Sequence, residues 1–161
     1  HEKTTNLIAE FRKSVPNMAI RTTLIVGYPG ETEENFQELK DWIQEMRFER
    51  LGAFAYSHEE NTHAANLDDD VPEEVKGRRL NEIIEKQLSH SLKSNQKQIG
   101  TIQKVLIEGP SKRSEEHLCG RTGRNSMVVF PKESYEKAQY VMVRIDSCTS
   151  ATLMGEVVSA C

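Results

Sequence analysis

The stretch Arg21-Thr22-Thr23-Leu24-Ile25-Val26-Gly27-Tyr28-Pro29-Gly30-Glu31-Thr32-Glu33-Glu34 places a short β-branched run, a glycine-proline turn and a helix start in direct succession. Leu24-Ile25-Val26 has the character of a strand buried in a parallel sheet. Gly27 and Gly30 permit positive φ or a close backbone approach. Thr32 is placed to N-cap a helix whose first turn, Glu33-Glu34, is acidic as the helix dipole prefers. A strand entering a helix through so short a turn specifies α/β architecture, and in such folds ligands sit at the carboxyl ends of the strands.

The flanking residues extend the pattern. Leu7, Ile8, Phe11 and Val15 recur at helical spacing over residues 3–14 until Pro16-Asn17 interrupts them. A strand is predicted over about Ala19–Val26, a helix over about Glu33–Arg47 with Phe36, Leu39, Ile43 and Met46 on one face, and a second strand over about Leu51–Tyr56. Helix, strand, helix, strand with short connections implies parallel strands. Two parallel strands need cover on both faces and neighbours at their edges, so residues 1–70 read as the closing part of a larger α/β domain, and the start within a helical pattern reads as that of a fragment.

The polar stretch Ser57–Asp70 then leaves the carboxyl edge of the sheet, and loops in that place often line sites. His58, Glu59, Glu60 and His63 superficially imitate a metal or acid-base set, but loop spacing without a helix argues against it, and no metal site is expected. Asp70-Val71-Pro72-Glu73 announces a helix, with Leu80, Ile83, Ile84, Leu88 and Leu92 as its apolar stripe and Gly100 closing it. Residues 71–100 thus read as a connecting helix.

From Thr101 the hydrophobic period becomes that of strands. Ile102–Glu108, Met127–Phe130, Tyr140–Ile145 and Thr152–Val158 suit a small antiparallel barrel over residues 101–161. Charge divides the chain in the same place: residues 1–100 hold 13 Lys and Arg against 18 Asp and Glu, whereas residues 101–161 hold 8 against 7. Basic residues at barrel loops, Lys112 and Arg113 after Gly109-Pro110 and then Arg121 and Arg124, suit phosphate contacts with RNA, and Asn125 suits a base edge. Solubilising turns are the alternative for the same residues. Few aromatics interleave them, so backbone contact takes precedence over base stacking.

No run of about 18 apolar residues occurs, nor a signal-peptide pattern at the start, so no membrane partner and a cytoplasmic location are expected. Cys119, Cys148 and Cys161 stand 29 and 13 positions apart, without C-x-x-C spacing, and read as free thiols.

Taken in order, Arg21–Glu34, Tyr56-Ser57 with Asn61-Thr62-His63-Ala64-Ala65, Pro72-Glu73-Glu74-Val75-Lys76 and Gly120-Arg121-Thr122 resemble the C-terminal part of the radical S-adenosylmethionine methylthiotransferases. The resemblance covers essentially the whole chain. It implies the last strands of a radical-SAM partial (βα) barrel, TIM-like, over 1–70, the connecting helix over 71–100, and a TRAM domain, a small OB-like barrel that binds substrate, over 101–161. It further implies S-adenosylmethionine and two 4Fe-4S clusters in the parent enzyme. The family's C-x-x-x-C-x-x-C motif is not in this sequence, and three dispersed cysteines do not replace it. The chain alone is therefore expected to be inactive, with no catalytic residue of its own, the missing N-terminal part of the same enzyme being its first partner. Under the resemblance, Ile25, Val26 and Gly27 line the nucleoside pocket, Phe54, Ala55 and Tyr56 approach its adenine, Arg21 offers a charged contact, and Lys112, Arg113, Arg121, Arg124 and Asn125 contact RNA.

For substrate the two halves point differently. The acidic Tyr56-Ser57-His58-Glu59-Glu60 loop is more similar to the branch that modifies an aspartate of a small-subunit ribosomal protein. Arg79–Ile84, Val105–Gly109 and Gly120–Phe130 are more similar to the branch that modifies isopentenyl-adenosine beside the tRNA anticodon. Because the barrel contacts the substrate and its loop is basic, tRNA is the favoured expectation and the ribosomal protein the alternative. Two readings of other classes stand beside these: an RNA-binding module acting through the barrel alone, and an α/β piece completed by a partner chain.

Overall fold

A computed structural model describes residues 2–160 of the chain. Contacts group these residues into two compact units, one of the residues up to Leu7 with Ile20–His90, the other of Ile8–Ala19 with the chain from Ser91 onward. Cys161 lies outside the described residues.

The helix α1 (Glu2–Ser14) precedes the strand β1 (Arg21–Val26), the helix α2 (Glu33–Met46) and the strand β2 (Arg50–Ala55). The two strands pair in parallel, as their grammar predicts, with Ile25 beside Phe54 and Val26 beside Ala55. Thr32 caps α2 in a reciprocal box with Asn35, and Arg47 ends it in the left-handed region, its N–H donating to the Ile43 carbonyl. Phe36 and Ile43 on the predicted face of α2 are fully buried against Val26 on the sheet, with Leu24, Leu51 and Ala53 packed around them. One face of the sheet is therefore closed by α2. On the other, Ile25 is 55% and Phe54 62% exposed.

A one-turn 3-10 helix, His63–Asn66, is capped by Thr62, and the helix α3 (Glu73–Gln96) follows. Here the expected stripe is corrected. Ile83 is buried, but Ile84, Leu88 and Leu92 are exposed, and the inward row is Lys76, Arg79, Ile83 and Gln87. Ile83 still joins the core with Leu80 packed beside it, and the carboxylates of Asp69, Glu73, Glu31 and Glu33 make the burial of two cations in the same row possible. Gly100, with φ +84°, stands beyond the end of α3, and its N–H donates to the Ile145 carbonyl of the barrel instead of closing the helix.

The C-terminal strands β3 (Ile102–Ser111), β4 (Ser114–Thr122), β5 (Met127–Pro131), β6 (Tyr140–Cys148) and β7 (Thr152–Ala160) form a closed barrel in the order β3-β4-β5-β7-β6, an OB-like arrangement. Two expectations change. The barrel has five strands, because Ser114–Thr122, where no strand was expected, forms β4, and β3 runs on past Glu108 to Ser111. Not all pairs are antiparallel either: β3, β4 and β5 alternate in direction, β6 runs opposite to β3, and β7 folds back on β6, so β7 meets β5 in parallel.

Two glycines inside the barrel strands serve close approach. A Cβ on Gly120 would overlap the Leu106 carbonyl oxygen and come within 2.7 Å of Val105 Cγ1, and Gly155 is confined likewise by the Arg144 carbonyl. Inside lie Val105, Ile107, Leu118, Val128, Phe130, Val141, Val143, Ile145 and Leu153. Gly120→Ala is expected to destabilise the barrel by about 1–3 kcal/mol through overpacking, measured by denaturant unfolding. A loss within experimental error would contradict the close-approach account.

Candidate ligand edge and barrel surface

Parallel pairing brings the carboxyl ends of β1 and β2 side by side, and the chain leaves them at Gly27 and at Tyr56, whose N–H donates to the Val26 carbonyl at 2.8 Å. Ile25 and Phe54 are register partners on the open face, an apolar pair facing away from α2. Val26, by contrast, sends its side chain into the core and offers the edge only its backbone. Arg21 is exposed at the opposite end of β1, roughly 17 Å along the strand from the exit.

The Gly27–Glu31 turn spends its own polar groups internally. Gly27 has φ +72°, and its N–H donates to Glu31 Oε1 at 2.9 Å. The Glu31 N–H returns to the Tyr28 carbonyl, and Gly30 N–H donates to Asp70 Oδ1 at 2.7 Å. Glu31 Oε1 is also gripped by Arg79 Nη1 at 2.6 Å, and the same nitrogen donates to the Glu31 carbonyl. Arg79 Nη2 reaches Glu33, and its guanidinium lies over the Phe36 ring. These are charge-assisted bonds around a guanidinium only 4% exposed.

Lys76 does for the second exit what Arg79 does for the first. Its Nζ donates to Asp69 at 2.6 Å and Glu73 at 2.7 Å and lies 5.4 Å from the centroid of the Tyr56 ring, which meets Tyr28 edge-on. Its stem occupies the space a side chain on Gly27 would need, with Lys76 Cβ and Cδ both 3.2 Å from where a Cβ would stand. The Tyr56 hydroxyl is buried without a hydrogen-bond partner. None of Lys76, Arg79, Glu31 or Asp70 is among the site residues expected from sequence. Lys76 and Arg79 lie at helical spacing just inside a helix start, a pattern that usually marks a solvated face; Glu31 and Glu33, which Arg79 holds, are more than 40 positions away, while Lys76 pairs with Asp69 and Glu73 close by in sequence.

On the barrel the structure separates the predicted RNA residues into two places. Lys112 and Arg113 form the exposed tip of the β3-β4 hairpin. At the other end of β4, roughly 25 Å along the strand, Arg121 donates to Glu108 at 3.1 Å and to both the carbonyl and Oδ1 of Asn125. Asn125 has φ +58°, and Thr122 Oγ1 accepts from the N–H groups of Arg124 and Ser126. Arg121, Arg124 and Asn125 thus share one tight turn.

Among the described residues no group of His, Cys, Asp and Glu is arranged to hold a metal ion. Cys119 and Cys148 are free thiols in the barrel, and burial pushes the Cys119 thiol up from its ordinary value. The described residues therefore offer no ligand set that fits an iron–sulfur cluster. No helix among the described residues is long and apolar enough to cross a membrane. A cleft of about 290 Å³ is lined by Thr4, Asn35, Glu38, Leu39 and Trp42, away from the strand exits.

The strand order and the sequence of the barrel agree on its class: residues 96–158 match the TRAM domain. The rest of the chain is matched as closely. It is 62% identical over 97% of its length to ribosomal protein uS12 methylthiotransferase RimO of Christiangramia forsetii, covering 36% of that protein. It is 47% identical to the Flavobacterium johnsoniae protein of the same name, over 96% of the chain and 36% of the relative. The tRNA-2-methylthio-N(6)-dimethylallyladenosine synthase of Christiangramia forsetii is 44% identical over 93% of the chain and 31% of the relative. The chain belongs to the methylthiotransferase family and spans about a third of the length of the curated relatives it matches.

The ion pairs give stability a defined pH window. Arg78 and Arg79 hold the Glu33 carboxyl below its ordinary value of 4.5, and Lys40, with Arg78, does so for Glu82. Asp69 and Glu73 raise Lys76 above its ordinary 10.5. A lowered carboxyl stabilises the fold above its unfolded pKa and loses that contribution as pH falls through the folded value; a raised lysine stabilises below its unfolded pKa and loses it as pH rises through the folded value. Melting temperature is therefore expected to fall below about pH 4.5 and above about pH 10.5, with Lys76→Met removing the alkaline decline. An alkaline limb unchanged in Lys76→Met would contradict the pairing.

Proposed function

We propose that this chain serves a radical S-adenosylmethionine methylthiotransferase, contributing one wall of the nucleoside site and the TRAM barrel that engages the substrate. The observation that carries the reading is the match of nearly the whole of this chain to part of the methylthiotransferases, with an open apolar edge where such a ligand belongs. In this role Ile25 and Phe54 pack against the adenine, the backbone of Val26, Gly27, Ala55 and Tyr56 borders it, and Arg21 offers a charge farther along the face. When bound, S-adenosylmethionine supplies the family's radical chemistry, and two 4Fe-4S clusters are held by cysteines outside this sequence. What falls to this chain is binding and orientation.

For the substrate, we take the ribosomal protein uS12 as the reading best supported. Two relatives from one organism share the same evolutionary distance in species, yet the one named for uS12 is 62% identical and the one named for tRNA is 44%. Arg121, the central residue of the basic turn, is already bonded to Glu108 and Asn125, which weakens its claim to a phosphate. A tRNA substrate is the second reading, favoured by the exposed Lys112-Arg113 tip and the TRAM domain.

The test is to supply the reconstituted full-length enzyme that contains this chain with uS12 and tRNA separately and to follow the gain of a methylthio group by mass spectrometry. Modification of uS12 and not of tRNA is expected. The reverse would establish the second reading, and modification of neither, with tight salt-dependent RNA binding, would leave only a binding module.

A further inference from the structure

Two buried cations one turn apart on α3 account for nearly every fixed group at the strand exits. Lys76 fills the notch left by Gly27 and faces the Tyr56 ring; Arg79 holds Glu31, and Glu31 holds the Gly27 N–H. The strand ends are joined to each other by the bond from the Tyr56 N–H to the Val26 carbonyl, and beyond that bond the Gly27 turn and the Tyr56 ring both rest on α3. Burying charge in this way is a poor route to stability alone, since apolar side chains of similar volume usually serve as well. Ion pairs add what apolar contacts lack, a direction and a single length for each bond.

We infer that Lys76 and Arg79 are positioning residues for the nucleoside ligand: beyond the paired strand ends they fix the course of the Gly27–Glu31 turn and the place of the Tyr56 ring, without touching the ligand themselves. The inference rests on the S-adenosylmethionine reading of this edge. It predicts an effect on affinity that is separable from any effect on folding. Lys76→Met retains a stem beside Gly27 and removes the charge, while Glu31→Gln keeps an acceptor for Gly27 N–H and weakens only the Arg79 grip.

Calorimetric titration of S-adenosylmethionine into the full-length, cluster-loaded enzyme separates the two effects, because a partly unfolded sample lowers the binding stoichiometry and leaves Kd unchanged. A rise in Kd of about tenfold is expected for Lys76→Met and a smaller rise for Glu31→Gln, each at wild-type stoichiometry and cluster content. Should Lys76→Met fail to fold, Glu31→Gln decides the matter by the same criterion. Wild-type Kd in a folded variant would overturn the inference while leaving the ligand reading intact; absence of binding by the wild-type enzyme would overturn both.

Discussion

The burial of Lys76 and Arg79 among the carboxylates of Asp69, Glu73, Glu31 and Glu33 is the constraint on which the first unit depends. It lets a mixed row, with Ile83 among the charges, face inward on α3 while Ile84, Leu88 and Leu92 stay outside. It also explains why position 27 is glycine. Positive φ alone would favour glycine there, but the stem of Lys76 already fills the volume of any side chain, so the turn and the helix are interlocked. A glycine-rich turn whose amides are taken up by Glu31 and Asp70 is not a free anion cradle. Its part in a ligand site is to bring strand ends to a fixed place.

The barrel follows a different logic, set by chain direction and close approach. Once β6 pairs with β3, the reversal into β7 leaves one gap in the wall, beside β5, and the direction of β7 makes that closing pair parallel. Gly120 and Gly155 let neighbouring strands come together where a methyl group would collide with a backbone carbonyl. At the surface the same closure places the two ends of the β3-β4 hairpin far apart, so the basic residues form a tip and a turn rather than one continuous patch.

Much of this was legible from the residues. The strand, the turn and the capped helix at Arg21–Glu34 fold as their types dictate, because each signal there is local: β-branched side chains, positive-φ glycines and a threonine cap. The apolar face of α2 was equally plain, since Phe36 and Ile43 have no polar competitors on their row. What escaped was non-local. Lys76 and Arg79 have ordinary helix-surface spacing, and only the fold brings Glu31 to Arg79 and the Gly27 turn to the stem of Lys76. β4 was hidden because Gly120 looks the same in a turn as in a crowded strand pair. For the candidate site, the open Ile25–Phe54 pair could be anticipated from strand parity, whereas the inward turn of Val26 and the distance of Arg21 from the exit required the register.

The central claim is that the paired exits of β1 and β2 form one wall of an S-adenosylmethionine site, held from behind by α3. Amide hydrogen exchange on the full-length enzyme, with and without S-adenosylmethionine, tests it most directly. Slower exchange on ligand addition at Ile25–Gly27 and Phe54–Tyr56, with the barrel strands unaffected, is the predicted result. Protection confined to the barrel, or none at either exit when the ligand is bound, would contradict it.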